Sequence, residues 1–186
     1  MNNVSKRIVL ALIFGCFLLC PCLWGFSLLS LRNLCFFLCL LEIAVSDFFE
    51  YKISNKMILA GISIWAISCL CFIFFKAFLE MPCDKIFSEN ILAHIKDGVL
   101  AALIFAFGIY FLSVFLRVLL RKKVLGGGDI KLFFVTGLYL GITKSLYMIF
   151  LACALGLIFS LILGRKKKIP FGPSIALATV VVVSCC

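Results

Sequence analysis

Acidic residues are scarce in this 186-residue chain, and charge of any kind is uncommon. Only 14% of the residues are charged, with 8 Asp and Glu against 18 Lys and Arg, and there is a single histidine. Soluble domains are about a quarter charged and about half apolar, whereas this chain is 65% hydrophobic with a mean hydropathy of +1.26. One small soluble domain cannot bury that much apolar surface. The composition therefore excludes an ordinary soluble globule and predicts a protein that is largely solvated by lipid.

The chain also lacks the residue patterns that bind metals or build common nucleophilic sites. Its one histidine, His94, lies among Lys and Asp in a predicted loop, with nothing nearby that suggests a Ser-His-Asp or Cys-His mechanism. The 11 cysteines include no pair of Cys-x-x-Cys motifs that could form a zinc site. Most of them lie in apolar stretches, where a reduced cysteine acts as a small hydrophobic residue. We predict neither a metal nor a cofactor.

The N-terminal segment has two interpretations. Its basic start and the apolar run after it resemble a secretory or lipoprotein signal peptide, and Gly15-Cys16 fits the end of a lipobox, although Phe14 is bulky for that motif. Apolar residues nevertheless continue to about Leu31. This continuation favours an uncleaved first transmembrane helix.

Seven apolar segments have a length near the ~20 residues that a membrane-spanning helix needs. They cover residues 8–28, 30–47, 57–79, 98–120, 131–143, 145–163 and 170–184. The fifth is the shortest and the least regular. We therefore predict an all-α integral membrane fold, in which about seven transmembrane helices form a bundle and residues 1–186 form a single membrane-embedded domain.

The distribution of basic residues predicts the orientation of the bundle. With a cytoplasmic N-terminus and seven crossings, most Lys and Arg residues lie on the cytoplasmic side, including the runs at 121–123 and 165–168. Short basic runs between apolar segments are typical of loops that face anionic lipid, and they do not form a continuous surface for nucleic acid. We expect a multi-pass protein of the bacterial cytoplasmic (inner) membrane that does not bind nucleic acid.

Two acidic motifs lie at the cytoplasmic ends of predicted spans. The first begins at Asp47 and reads DFFEYKISN, and the second reads GGGDIKL and contains Asp129. The predicted topology places both acids on the same face of the membrane at similar depth. Two carboxylates can hydrolyse an amide when one is ionised and takes a proton from water while the other is protonated and donates to the carbonyl oxygen. The pattern does not indicate which acid has which role.

These motifs resemble those of the prepilin peptidases, the GxGD class of membrane aspartic peptidases. Members of that family carry an aspartate, five residues and then Ile-Pro-Asn, followed later by Gly-x-Gly-Asp-[Ile/Val]-Lys-Leu. Asp47, Ile53 and Asn55 match the first motif, and residues 126–132 match the second. Ser54 replaces the usual proline, and Phe49 stands where arginine is common.

A third likeness to the family is the segment 170–173, which reads Pro-Phe-Gly-Pro and resembles the family's closing segment. The resemblance runs from about Leu40 to the end of the chain. It implies that Asp47 and Asp129 are the catalytic acids. It also implies an active-site loop and a set of residues that support the substrate or a loop. Glycine is suited to such a loop because it can adopt positive φ. The predicted loop residues are Gly126, Gly127, Gly128 and Lys131, and the predicted support residues are Lys52, Ile53 and Asn55. Lys131 could equally be an interfacial lysine.

The resemblance further implies the substrate. Family members cut type IV prepilin and pseudopilin precursors, the latter from type II secretion, by removing a short basic leader at the cytoplasmic face. Many relatives also methylate the new N-terminus with S-adenosylmethionine, using a cytoplasmic domain with paired Cys-x-x-Cys motifs. Only about seven residues precede the first predicted span, so we expect no methyltransferase activity. The predicted partners are the precursor proteins and the lipid bilayer, and the pattern leaves the oligomeric state open.

Other functions remain possible at this stage. A small proton- or cation-coupled transporter could use Asp47, Asp129 and Glu42 as relays, since ionisable residues within spans are functional candidates. No internal repeat of the kind common in transporters is visible, however. Glu42 is five residues before Asp47 and therefore faces another side of a helix. Either acid could also be an ordinary helix-end charge, and the chain could be an inactive assembly protein.

Overall fold

The computed structural model describes residues 28–78, 91–121, 126–163 and 170–185. Helices account for almost all of these residues, and the described ranges contain no strand, which confirms the all-α prediction. The helices are α1 (Leu28–Glu50), α2 (Asn55–Phe78), α3 (Ile91–Leu120), α4 (Gly127–Leu163) and α5 (Gly172–Cys185). The predicted first span, 8–28, falls almost wholly outside the described residues.

Within the described ranges, four helices are long and apolar enough to cross a membrane: the candidate spans are Leu29–Glu50, Asn55–Phe75, Leu92–Leu120 and Gly127–Ile162. At 1.5 Å per residue each exceeds or approaches the ~30 Å hydrocarbon core of a bilayer. Helix α5 is apolar but shorter. The chain is thus an all-helical protein with several candidate spans, as a multi-pass membrane protein requires, while the count of seven and the cytoplasmic N-terminus stay predictions.

Helix α3 begins earlier than the predicted span 98–120, because it starts at Ile91. His94 and Asp97, which were assigned to an outer loop, therefore lie within a helix, and both side chains are half-buried. The prediction of a solvated loop at these positions is wrong. Charged residues lowered the apolar character of the first two turns, but packing of these turns against other helices stabilises them regardless.

Helix α4 covers the two segments that were predicted as separate spans, 131–143 and 145–163. It is interrupted at Gly141, where φ is 73° and ψ is −178°. Only glycine adopts such a conformation without a steric penalty. The interruption thus lies three residues before the predicted boundary at 144.

The chain divides into two compact units. The first, here called the terminal unit, consists of Met1–Met57 and Leu146–Cys186, and the second, the central unit, consists of Ile58–Ser145. In the terminal unit α1 packs against α5, and both contribute side chains that are almost completely buried, such as Phe36, Leu40 and Ile175. In the central unit Phe72, Leu132 and Val135 are buried to the same degree.

Two buried threonine side chains inside these apolar helices bond to the backbone of the preceding turn. Thr136 Oγ1 donates to the carbonyl oxygens of Leu132 and Phe133, each at 3.1 Å, and Thr179 Oγ1 donates to Ile175 O at 2.8 Å. Such bonds satisfy a buried polar group without a partner from another helix. They are compatible with a lipid environment, where every polar group must be satisfied internally.

Candidate active site

Asp47 lies in the last turn of α1, on the face of the helix that packs into the terminal unit. Only 6% of its surface is exposed, and its neighbours Ala44 and Phe48 are buried as well. Glu42 and Glu50, on the same helix, are exposed. Since buried carboxylates need hydrogen-bond partners, the environment of Asp47 differs in kind from that of the other two acids of α1.

The partner of Asp47 is the N-terminus of α5. The backbone N–H of Gly172, the first residue of α5, donates to Asp47 Oδ2 at 2.8 Å. A helix N-terminus carries partial positive charge and unpaired N–H groups, so it stabilises a carboxylate. The bond is made to one of the two carboxylate oxygens of Asp47, Oδ2.

Residue 172 must be glycine for this contact to form. A Cβ atom at Gly172 would lie 2.7 Å from Asp47 Oδ2 and 3.0 Å from Asp47 Cβ. Pro173 follows in the first turn of α5, a position where proline is favoured because its missing N–H is not needed. The first bond of the helix runs from Ile175 N to Phe171 O at 3.2 Å. The segment Pro-Phe-Gly-Pro is thus the start of α5 and the element that holds Asp47.

A tight turn follows Asp47 and ends α1. Tyr51 N donates to Asp47 O at 3.0 Å, and Tyr51 has a positive φ of 55°, which is uncommon for a residue with a bulky side chain. Ser46 Oγ donates to Lys52 O at 2.9 Å. The predicted support residue Lys52 therefore contributes to the loop through its backbone carbonyl, while its side chain is exposed. Ile53 is half-buried in the turn, and Asn55 begins α2.

Asp129 lies in the first turn of α4 and is half-buried. Its Oδ2 accepts a hydrogen bond from Gly126 N at 3.2 Å, and its own N–H donates to Gly126 O, also at 3.2 Å. The bond from Gly126 N is the side-chain half of a capping box, in which the third residue of a helix reaches back to the N–H of the residue before the helix. The carboxylate of Asp129 is thus oriented by its own helix.

The predicted active-site loop is shorter than expected. Gly127 and Gly128 are helical residues of α4, and only Gly126 precedes the helix. Gly141 is the only glycine with positive φ in the described part of the chain. Gly127 and Gly128 therefore do not use the positive φ that glycine permits, and the role of Gly126–Gly128 as an active-site loop stays a prediction. Lys131 is exposed in the next turn.

The structure thus gives each acid a separate backbone donor. Asp47 is in the terminal unit with Gly172, and Asp129 is in the central unit with Gly126. That the two acids act together stays a prediction.

Sequence reasoning recognised the Pro-Phe-Gly-Pro segment but missed the role of Gly172. The only signal for this role was a glycine immediately before a proline that starts an apolar helix. Within the described ranges, no three His, Cys, Asp or Glu residues are grouped so that they could hold a metal ion.

Comparison with known proteins gives one match. No curated protein and no solved structure matches the chain. The profile of the type IV leader peptidase family, however, matches residues 34–161, which is more than half of the chain and includes both acidic motifs. The chain accordingly belongs to the type IV leader peptidase family.

Proposed function

We propose that this peptidase is an aspartic endopeptidase that removes the short basic leader from type IV prepilin or pseudopilin precursors, with Asp47 and Asp129 as its two catalytic acids. The observation that carries the proposal is the family match over residues 34–161, which contains both acids. The buried carboxylate of Asp47, oriented by Gly172 N–H, adds geometric support. The transporter alternative needs Glu42 as a third relay, but Glu42 is exposed on α1 while Asp47 is buried.

The chemistry follows from two carboxyl groups in different protonation states. The ionised acid removes a proton from a water molecule as its oxygen attacks the scissile carbonyl carbon, and the protonated acid donates to the carbonyl oxygen. The resulting gem-diol collapses and the C–N bond breaks. The leaving amine takes a proton from the acid that accepted one from water, and the other acid recovers its proton from a hydroxyl of the gem-diol. The reaction therefore consumes one water and returns both acids to their starting states.

The proposal includes a place and an orientation. The protein would lie in the bacterial inner membrane with seven crossings and a cytoplasmic N-terminus, so that the basic runs at 121–123 and 165–168 face the cytoplasm. Labelling of single cysteines in a cysteine-depleted background should find positions 122 and 167 cytoplasmic and position 85 external. If position 167 is labelled from outside, the arrangement with seven crossings is wrong.

The catalytic assignment is tested by Asp47→Asn and Asp129→Asn. Asparagine retains the size of the side chain and an oxygen that can accept the N–H of Gly172 or Gly126, but it cannot exchange the proton that hydrolysis requires. Each variant should lose leader removal by at least about a hundredfold, the lower range of a general acid–base contribution. The measurement is conversion of a co-expressed prepilin to its mature form, normalised to the amount of variant in the membrane.

Two exposed acids of α1 are matched controls. Glu42→Gln and Glu50→Gln remove the same charge from the same helix without touching the buried face, and both should process the precursor at close to the wild-type rate. Full processing by either Asn variant at normal abundance would refute the aspartic mechanism.

A further inference from the structure

The interruption of α4 at Gly141 divides the helix into two parts. The part that begins at Gly127 and carries Asp129 is about 21 Å long at 1.5 Å per residue. This is less than the ~30 Å thickness of the hydrocarbon core. A break at that distance from the helix start leaves backbone N–H groups without their usual acceptors in a region where water cannot replace them.

Asp97 of α3 supplies an acceptor at this break. Its Oδ2 receives a long hydrogen bond of 3.4 Å from the backbone N–H of Ile142, the first residue after Gly141. A Cβ atom at Gly141 would collide with the same carboxylate oxygen, and the φ of 73° at Gly141 disfavours any other residue. The acid and the glycine therefore fit each other at the point where the chain restarts as a helix.

Further contacts fix the end of the first part of α4 within the central unit. A Cβ atom at Gly98, next to Asp97, would lie 2.5 Å from Leu138 O, and one at Gly137 would lie 2.8 Å from Ala102 Cα. The backbones of α3 and α4 thus touch directly, as in small-residue packing of membrane helices. Tyr139 Oη donates to Gly61 O of α2 at 2.8 Å. The part of α4 that carries Asp129 is therefore attached to α2 and α3 at the end opposite to Asp129.

We propose that Asp97 is a positioning residue for Asp129. By accepting the Ile142 N–H it sets where the first part of α4 ends, and so it sets the axial position and rotation of the helix whose first turn carries Asp129. The inference rests on the proposed function only for the role of Asp129 in cleavage. The effect on the structure of α4 is independent of that role.

The test compares Asp97→Ala and Asp97→Asn with Lys96→Ala as the matched control. Asparagine retains an acceptor for Ile142 N–H, alanine removes it, and Lys96 is the exposed neighbour on the same helix. Hydrogen–deuterium exchange of the membrane-reconstituted protein is followed in segments 138–145 and 127–131, together with kcat and KM for a prepilin substrate. For Asp97→Ala we expect exchange about tenfold faster in both segments and kcat about tenfold lower with KM nearly unchanged, since one hydrogen bond to a charged group is lost. Asp97→Asn and Lys96→Ala should stay close to wild type.

Several outcomes would overturn the inference. Faster exchange confined to 138–145 with unchanged kcat would show a local cap without a positioning role, and no change in either segment would show that the contact is dispensable. If Asp97→Ala does not accumulate in folded form, Asp97→Ser, which is too short to reach Ile142 N, takes its place with the same expected pattern. If the wild-type protein does not cleave the precursor, the proposed function fails, and exchange at 127–131 alone decides the role of Asp97.

Discussion

Asp47 and Asp129 both accept a hydrogen bond from a glycine N–H at the N-terminus of a helix, but the two donors differ in sequence distance. The donor to Asp129 is three positions away, immediately before the helix that carries Asp129, and the hydrogen bond is exposed. The donor to Asp47 is 125 positions away in α5, and the pair is buried. The environment of Asp129 therefore depends on local helix formation, whereas that of Asp47 exists only when α1 and α5 have packed. One acid is oriented by secondary structure and the other by tertiary structure.

Among the substitutions that test this contrast between a local and a tertiary contact, the largest effect should come from adding a methyl group at the tertiary contact. Gly172→Ala places a Cβ atom 2.7 Å from Asp47 Oδ2, so either the carboxylate or α5 must move. Overpacking of this kind costs about 1–3 kcal/mol, and the displaced acid should lower leader removal by at least about tenfold. The measurement is the cleavage rate of a prepilin substrate at equal amounts of membrane-inserted protein.

Gly108→Ala is the control for that substitution. A Cβ atom at Gly108, an exposed residue of α3, meets nothing within 4 Å. Alanine in a helix interior is about 0.5–1 kcal/mol more favourable than glycine, so the control should retain activity and have a slightly higher free energy of unfolding. Wild-type cleavage by Gly172→Ala would mean that the contact with α5 does not orient Asp47.

A smaller effect should separate the two acids by stability. Asp47→Ala leaves the buried N–H of Gly172 without an acceptor, which costs about 1–3 kcal/mol. Asp129→Ala leaves the N–H of Gly126, which is exposed and can bond to water, so the lost contact with Gly126 costs about 0.3–1 kcal/mol, the size of a helix-terminus interaction. The free energy of unfolding in mixed micelles should therefore fall more for Asp47→Ala.

The corresponding Asn variants test the cause of that difference. Because asparagine still offers an oxygen to each N–H, Asp47→Asn should recover most of the stability that Asp47→Ala loses. Equal losses for the two Ala variants, or a larger loss at position 129, would show that the contrast between a local and a tertiary environment has no energetic basis.

Sequence reasoning predicted the features that depend on composition and on nearby residues. The apolar segments predicted most of α1, α2 and α3, since length and hydropathy alone decide which segments can cross a bilayer. Asp129 was singled out through its glycines and its place at the start of an apolar segment. The family itself was recognised from two motifs, each made of residues that lie close together along the chain, and the family match confirms it.

What could not be predicted depends on contacts between distant segments. Nothing near Asp47 in the sequence indicates that its donor is Gly172, because the pairing arises from the packing of α1 on α5. Asp97 was placed in the loop before the predicted span 98–120, since its charge interrupts the apolar pattern. It lies instead within α3, and it accepts a hydrogen bond from Ile142 N–H next to the break at Gly141. In both cases an acid serves the backbone of another helix, and hydropathy carries no information about that role.

The fit between Asp47 and Gly172 also constrains how the chain can evolve. As long as an acid occupies position 47 in this packing, any side chain at position 172 is costly, because its Cβ atom would lie 2.7 Å from Asp47 Oδ2 and the carboxylate or α5 would have to move. A substitution at position 172 would become tolerable only after position 47 had changed to a smaller residue, and the acid would then already be lost. Related chains that have kept the acid and this packing should therefore show an invariant glycine at the start of their last helix. Chains that have lost the acid are free to vary at both positions.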